Sequence, residues 1–315
     1  MNLQLKSFQH YVPRFLLEYF SSDKLLWVYD RKLNQFRNQS AKNTAGEKAY
    51  YVFTQNDGEQ SAALEEMFSE IEGVASRLVK DLDVGKQNLD EQGKVDMATF
   101  LAVMYLRVPN SFSRTETMSM KMTKEIMSRT AKLDAHFDII IDEIERKEGK
   151  MISKKQREDI QKTFVDKNYD LRFPKEHMLK SMIQMFNEFY IIFAQMEWII
   201  WEAPKNKAFI TSDNPAFTFN VKPEGFWGSG LGILAPNCET TVVLTPKLCI
   251  FLSQERNPDS IKYIKATSKL VDNINARTAI CSSRFLVSHN EALLKKWVRR
   301  TSLVKRAPYL SVDAN

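Results

Sequence analysis

TTVVLTPKLCIFLS, residues 240–253, is the stretch that commits the chain to a sheet. Two runs rich in branched and aromatic residues, Thr240–Thr245 and Leu248–Ser253, meet at Pro246-Lys247, and so short a break between such runs predicts a β-hairpin. Upstream, Ala208–Thr211 has the composition of a further strand. Downstream, the spacing predicts a helix over Ile261–Asn275, a strand around Ile280–Ser288 and a short helix over Glu291–Arg300.

Before Pro204 the pattern is different. From about Gln60 to Glu202 apolar residues recur with the helical period, in helices near 60–82, 94–107, 112–146, 154–165 and 175–202. A residue preceding proline disfavours the α region, so Val108-Pro109 ends one helix and Arg172-Phe-Pro174 opens another. The Gly149 neighbourhood marks a turn. Nearer the amino terminus, Pro13 suits the first turn of a short helix, and Leu25–Tyr29 and Lys48–Phe53 read as strands. The expected class is α+β, with a small mixed or antiparallel sheet from the N- and C-terminal regions packed on a large central helical block. A single compact unit is expected, with segments 1–58, 59–203 and 204–315.

Composition narrows the class further. With 43% hydrophobic and 27% charged residues, the 315-residue chain has the balance of a folded protein. Its opening MNLQLKSFQHYVP has no apolar core of signal-peptide length, and the most apolar run, Tyr190–Trp201, is too short to cross a bilayer. A cytoplasmic protein without a membrane partner is expected. Cys238, Cys249 and Cys281 form no CxxC pair, so they read as reduced core residues rather than zinc ligands.

Two polar motifs stand out, HYVPRF at residues 10–15 and TSDNP at residues 211–215. His10 titrates near neutrality, and Arg14 at the following helix start carries a guanidinium able to grip phosphate or carboxylate. The structural alternative gives His10 a backbone partner and Arg14 an ion pair. In TSDNP, proline forces Asn214 into an extended conformation, and Asp213 and Asn214 can build a turn with their own backbone. The functional alternative makes Asp213 a base, a metal ligand or the partner of Arg14. Continuing the helix through residue 202 would place Phe186, Tyr190, Phe193, Glu197 and Trp201 within about 40° of one direction, setting a carboxylate among aromatics. Glu197 would then be raised in pKa unless paired. His10, Arg14, Glu197, Asp213 and Asn214 are the candidate catalytic residues, and His10, Arg14, Glu197 and Asp213 are expected to converge.

Other signatures are weaker. An arginine followed by a histidine after four residues occurs at Arg172–His177 and Arg284–His289, a spacing found in a helical RNase family that chance readily produces here. After Asp213, the triplet Asn220-Val-Lys222 has an amide where a second metal-binding carboxylate would stand, so no cofactor is expected and a divalent metal lacks support. Gly228-Ser-Gly230-Leu-Gly232 lacks the lysine and helix of a phosphate loop. With Phe226 and Trp227 beside it, that segment reads as a loop or a flap over a site.

HYVPRFLLEYF near the start, ALEEMFSEIE in the first long helix, YLRVPNS, FITSDNPAF and NINARTAICSSRFLVS together resemble a bacterial family catalogued as domain of unknown function 4238. The order and spacing correspond along nearly the whole chain. The resemblance brings no activity and no catalytic residues. It implies a setting among mobile-element and antiviral defence genes.

The charge of +6 is concentrated late. Within residues 286–315, Lys295, Lys296, Arg299, Arg300, Lys305 and Arg306 face only Glu291 and Asp313. Leu293, Leu294, Trp297 and Val298 form the apolar face of a helix whose outer face is basic, which suits nucleic-acid phosphates. A solvated face or an acidic protein partner is the alternative. The leading expectation is a nucleic-acid-directed, nuclease-like hydrolase in phage defence. Its alternative is a non-enzymatic nucleic-acid-binding or assembly subunit, with a protein partner or a second copy of the chain.

Overall fold

The computed structural model describes residues 8–54, 60–61, 63–87, 89–220, 233–234, 238–256 and 261–301. The amino-terminal segment forms β1 (Phe8–His10), α1 (Arg14–Tyr19), β2 (Leu26–Asp30), β3 (Gln35–Gln39) and β4 (Gly46–Lys48). The two-residue strands β5 (Phe53–Thr54) and β6 (Gln60–Ser61) precede the helices. These are α2 (Ala63–Asp83), α3 (Glu91–Leu106), α4 (Pro109–Ala131), α5 (Asp134–Glu148), α6 (Lys154–Val165) and α7 (Lys175–Gln195). Then come β7 (Met196–Glu202), β8 (Thr211–Ser212), β9 (Ala216–Asn220), β10 (Cys238–Val243), β11 (Leu248–Arg256) and β12 (Ile261–Lys265). Helix α8 (Ser268–Cys281), β13 (Phe285–Ser288) and α9 (Glu291–Thr301) follow. The fold is α+β.

Two compact units divide the chain, one from Met1–Phe112 with Leu179–Asn315 and one from Ser113–Met178. In the first, the hairpin read at residues 240–253 is β10 and β11, antiparallel with Val242 opposite Ile250. It lies inside a five-stranded sheet of order β12-β7-β11-β10-β9. A second sheet, β3-β2-β13-β8, joins the amino-terminal strands to the carboxy-terminal ones, and β1 pairs with β4. Helix α3 is buried nearly all round through Met97, Ala98, Phe100, Leu101, Ala102 and Val103, as a helix apolar on every face must be. Its side chains join α1, α2 and both sheets in one core. A smaller core under α9 gathers Tyr29, Ile210, Leu286, Leu294 and Trp297.

The second unit is helical. Phe137 and Ile141 of α5 pack with Ala131, Ile160 and Phe164. Gly149 ends α5 at φ 64, the left-handed conformation that glycine adopts without penalty, and Ser153 with Gln156 form a capping box at α6.

Several boundaries differ from the sequence reading. The helix expected over 175–202 stops at Gln195, because Met196-Glu-Trp-Ile-Ile-Trp-Glu is rich in strand-forming residues and pairs with β11 on one side and β12 on the other. Trp198 Nε1 donates to the Phe193 carbonyl at 2.8 Å across the junction. The helix expected from Ile261 begins only at Ser268, capped by Thr267, since Ile261–Lys265 runs parallel to β7. Residues 112–146 break into α4 and α5. Within Lys48–Phe53 only the two end residues lie in strands, β4 and β5, with a turn over 49–52 between them; strand structure near 208–211 is confined to Thr211–Ser212, and helix α8 occupies the first part of 280–288.

Candidate functional site

Alternation along β1 turns Gln9 into the core, fully buried, while His10 is part-exposed. His10 Nε2 lies 3.1 Å from the Lys42 carbonyl oxygen, which can only accept, so Nε2 carries the proton and Nδ1 is the basic nitrogen of the neutral ring. Burial lowers the His10 pKa against the raising influence of the Ala41 and Lys42 carbonyls and of Glu72, with Arg107 adding to the lowering. Arg107, just past the end of α3, is 1% exposed. It donates from Nε to the Tyr11 carbonyl at 3.1 Å and from Nη1 to Glu72 Oε1 at 2.7 Å. Burial raises the carboxyl of Glu65, against Arg107 and together with Glu72. His10, Glu65, Glu72 and Arg107 are thus electrostatically linked. The Tyr51 hydroxyl donates to the Arg107 carbonyl and the Tyr51 N–H to Gln9 Oε1, closing the cluster.

TSDNP serves a different connection. Asp213 is buried, and its carboxylate accepts the backbone N–H groups of Ser283, Arg284 and Phe285 at 2.9, 2.5 and 3.1 Å. Burial raises its pKa, while those three N–H groups and Arg31 pull it down. Asn214 donates from Nδ2 to the Cys281 carbonyl, and its own N–H bonds Ser212 Oγ. The clamped segment carries Arg284, whose guanidinium bonds Asp30 through Nε and Nη2. Arg37 Nη2 reaches the same Asp30 oxygen, and the Lys32 and Leu33 N–H groups complete its shell. Burial raises the hydroxyl pKa of Tyr11, with Asp213 and Glu47 adding and Arg284 opposing.

The remaining expected residues go elsewhere. Arg14 pairs with Glu18 one helical turn on, at 2.8 Å on the surface. Glu197 lies on β7 rather than on a helix, so the aromatic face expected around it does not form; it pairs with Lys262 of β12 at 2.5 Å. His10, Arg14, Glu197 and Asp213 each have their own partners, and the convergence foreseen for the four is not what the side chains make. Among the described residues, no group of three or more His, Cys, Asp or Glu is gathered to hold a metal ion. The glycine segment 228–232, with Phe226, Trp227 and the Asn220-Val-Lys222 comparison beyond Asn220, lies outside the described residues.

Helix α9 places Leu294, Trp297 and Thr301 inward and keeps Lys295, Lys296, Arg299 and Arg300 toward the outside. Lys296 and Arg300 flank the Trp297 ring at 4.9 and 5.3 Å. Both, with Lys207, surround Asp272 of α8, at 3.4, 3.9 and 2.9 Å. Burial opposes ionisation of Asp272, but Lys207 and Lys296 more than offset it and hold the carboxyl below its usual range. Lys295 bonds Glu291 and sits 5.7 Å from the Phe36 ring of β3. Lys305 and Arg306 lie outside the described residues.

Arg107, Glu72, Glu65, Asp30, Arg37, Lys207 and Asp272 are absent from the sequence candidates. Arg107 was visible inside YLRVPNS and Arg284 inside a discounted arginine–histidine spacing. Asp30, Arg37 and Asp272 carry no local signature at all.

No helix among the described residues is long and apolar enough to cross a membrane. No curated protein and no solved structure matches the chain. The family described as Protein of unknown function (DUF4238) matches residues 9–292, nearly the full length of the 315-residue chain, which therefore belongs to that family.

Proposed function

We propose that the protein binds nucleic acid along the outer face of α9, in the manner of a non-enzymatic binding subunit. The observation that carries this reading is the Asp272 cluster, in which Lys207, Lys296 and Arg300 share one carboxylate. One acid holds three cations in place and cancels only one of them. Preorganised excess charge on a rigid helix suits backbone phosphates, and binding through it releases counterions and weakens with salt. A defence setting is part of the same proposal and follows from the family resemblance alone.

Fluorescence anisotropy of the full chain with labelled RNA and DNA tests it. Affinity is expected to fall at least tenfold between about 50 and 200 mM salt. Lys296→Gln with Arg300→Gln is expected to flatten that dependence without changing the melting temperature by more than a few degrees. Absence of binding at low salt, or an unchanged salt slope in the double variant, refutes the reading.

A hydrolytic version has one observation in its favour. His10 is lowered in pKa and Glu65 raised, in one cluster, which are opposite tunings suited to a neutral base and a protonated acid. Arg14, Glu197 and Asp213 have no part in it. Incubation of RNA and DNA with the full chain, with and without divalent ions, decides: cleavage that His10→Ala abolishes supports this version, and intact strands remove it.

A further inference from the structure

Asp30 is more heavily supplied with donors than one carboxylate needs. Its side chain is fully buried and accepts the Lys32 and Leu33 N–H groups at 3.0 and 3.3 Å and two nitrogens of Arg284. That set already satisfies a buried carboxylate. Arg37, from the edge strand β3, nevertheless places a second guanidinium on the same Oδ2 atom. The two side chains are 39% and 43% exposed, so both forks are anchored at one corner and open at the other.

The unspent donors are specific. Among the described residues, Arg37 uses only Nη2, and its Nε is buried without a partner. Arg284 uses Nε and Nη2 on Asp30, leaving Nη1. The Phe285 ring lies 4.6 Å from the Arg284 guanidinium carbon and supports the fork from one face. Asp213 fixes the backbone beneath it through three N–H groups. Arg31 is turned away, onto Ser282 Oγ and the Ala279 carbonyl. Glu47 of β4 is the acidic neighbour beyond Asp30 whose charge acts on Arg284, and the Tyr11 hydroxyl beside it, raised in pKa by burial, is neutral. Arg37 Nη1 and Arg284 Nη1 are the nitrogens left for a ligand, while Arg37 Nε, equally unpartnered, is buried.

We propose that Arg37 and Arg284, held side by side on the Asp30 carboxylate, form a site for a phosphate monoester, carried by a free nucleotide or by the end of a nucleic-acid strand. A monoester has three terminal oxygens and a charge near −2, enough to engage both forks. A backbone diester offers two such oxygens and one charge. Asp30 is a positioning residue that sets the spacing of the forks. Only the strand-end source rests on the nucleic-acid reading of α9; a nucleotide would occupy the site without it.

The test compares labelled single-stranded oligonucleotides that differ only in a 5′-phosphate, with calorimetry of AMP and inorganic phosphate on the same full-length protein. At least tenfold tighter binding of the phosphorylated strand, abolished by millimolar inorganic phosphate, is the expected result for a strand end. Saturable binding of AMP with no oligonucleotide binding identifies a free nucleotide as the source; the α9 reading then falls while this one stands. Arg37→Gln with Arg284→Gln should erase the phosphate preference yet keep the salt-dependent binding of the hydroxyl-ended strand. If that double variant does not fold, Arg37→Gln alone must reduce the preference at least threefold. Equal affinity for the two strands together with no binding of AMP or phosphate by the unmodified protein overturns the proposal, as does a folded Arg37→Gln protein with undiminished preference.

Discussion

Asp213 Oδ2 accepts the backbone N–H of Arg284 at 2.5 Å, while the Arg284 guanidinium lies on the buried carboxylate of Asp30. One residue is therefore held at both ends by acids from different strands. The TSDNP turn fixes the main chain, and the end of β2 fixes the side chain. The Ser282–Arg284 connection between α8 and β13 is pinned for this reason, although it contains no regular structure.

Replacing Asp213 should expose how much of the fold this clamp supports. Asparagine keeps one acceptor oxygen and puts an NH2 where the other stood, so at least one of the three N–H groups loses its partner. A buried donor left unpaired costs about 1–3 kcal/mol, which sets the expected loss for Asp213→Asn; Asp213→Ala should lose more. Urea unfolding followed by circular dichroism measures both. A midpoint for the alanine variant equal to that of the unmodified protein would show that the clamp contributes nothing.

Asp30 gives a dependence on pH with a definite sign. Burial pushes its carboxyl up, but the hydrogen bond from Arg284 and the Leu33 N–H outweigh burial and leave it below the ordinary aspartate value. A depressed pKa means that the unfolded chain takes up the proton first as the solution is acidified. The stabilisation is complete above about pH 4, the unfolded aspartate range, and is lost as pH falls through the lower folded value. Thermal melts between about pH 3 and 6 should show Asp30→Asn less stable at the upper end, with the gap narrowing toward the lower end. A gap that widens on acidification contradicts the assignment.

How much of this was legible beforehand depended on the distance over which each feature is made. The β10–β11 hairpin is written in consecutive residues, and so are the capped helices and the helix ends at Pro109 and Pro174. The α7–β7 junction was misread because Met196–Glu202 continues an apolar pattern compatible with either period. Pairing with β11 and β12 decided it, and those partners lie more than forty residues away. The site is harder still. Asp30 and Arg284 are 254 positions apart, and Arg107 and Tyr11 are 96 apart. HYVPRF and TSDNP announced themselves as strings, but their partners lie elsewhere in the chain, the Lys42 carbonyl for His10 and the 283–285 backbone for Asp213. His10 was singled out for an acid–base role beside Arg14, Glu197 and Asp213, whereas its charged neighbours are Glu72 of α2 and Arg107 at the end of α3, which had no motif to mark them.

The Arg107–Glu72 pair should be sensitive in an asymmetric way. Arg107 is 1% exposed and Glu72 25%, so Glu72→Gln leaves a guanidinium buried without its counter-charge, whereas Glu72 itself has access to water. Breaking a buried pair from the side that strands the deeper charge costs about 3–5 kcal/mol, and partial exposure of Glu72 places this case toward the lower end. Glu72→Gln is expected to lower the unfolding midpoint clearly. Pairing it with Arg107→Met should recover part of the loss, because the stranded charge is removed. If the double variant is less stable than the two single losses combined, the cost lies in packing and not in the uncompensated charge.

His10 tests the cluster from its open side. Burial outweighs the raising influence of the Ala41 and Lys42 carbonyls and of Glu72, so the folded imidazole titrates below 6.5 and is neutral at pH 7. An NMR titration of the ring protons should give a midpoint below that value. Glu72→Gln should lower it further, because the carboxylate that favours the imidazolium is gone. The linkage has the sign of a depressed group: the contribution to stability is present above about pH 6.5 and is lost as pH falls through the folded midpoint, since the unfolded chain binds the proton more readily. His10→Gln should remove that component of the acid sensitivity while leaving the Asp30 component at lower pH in place. A His10 midpoint above 6.5 would mean that the Ala41 and Lys42 carbonyls and Glu72 together outweigh burial, and one above 7 would make the ring mostly a cation at neutral pH, unable to serve as the base on which the hydrolytic reading depends.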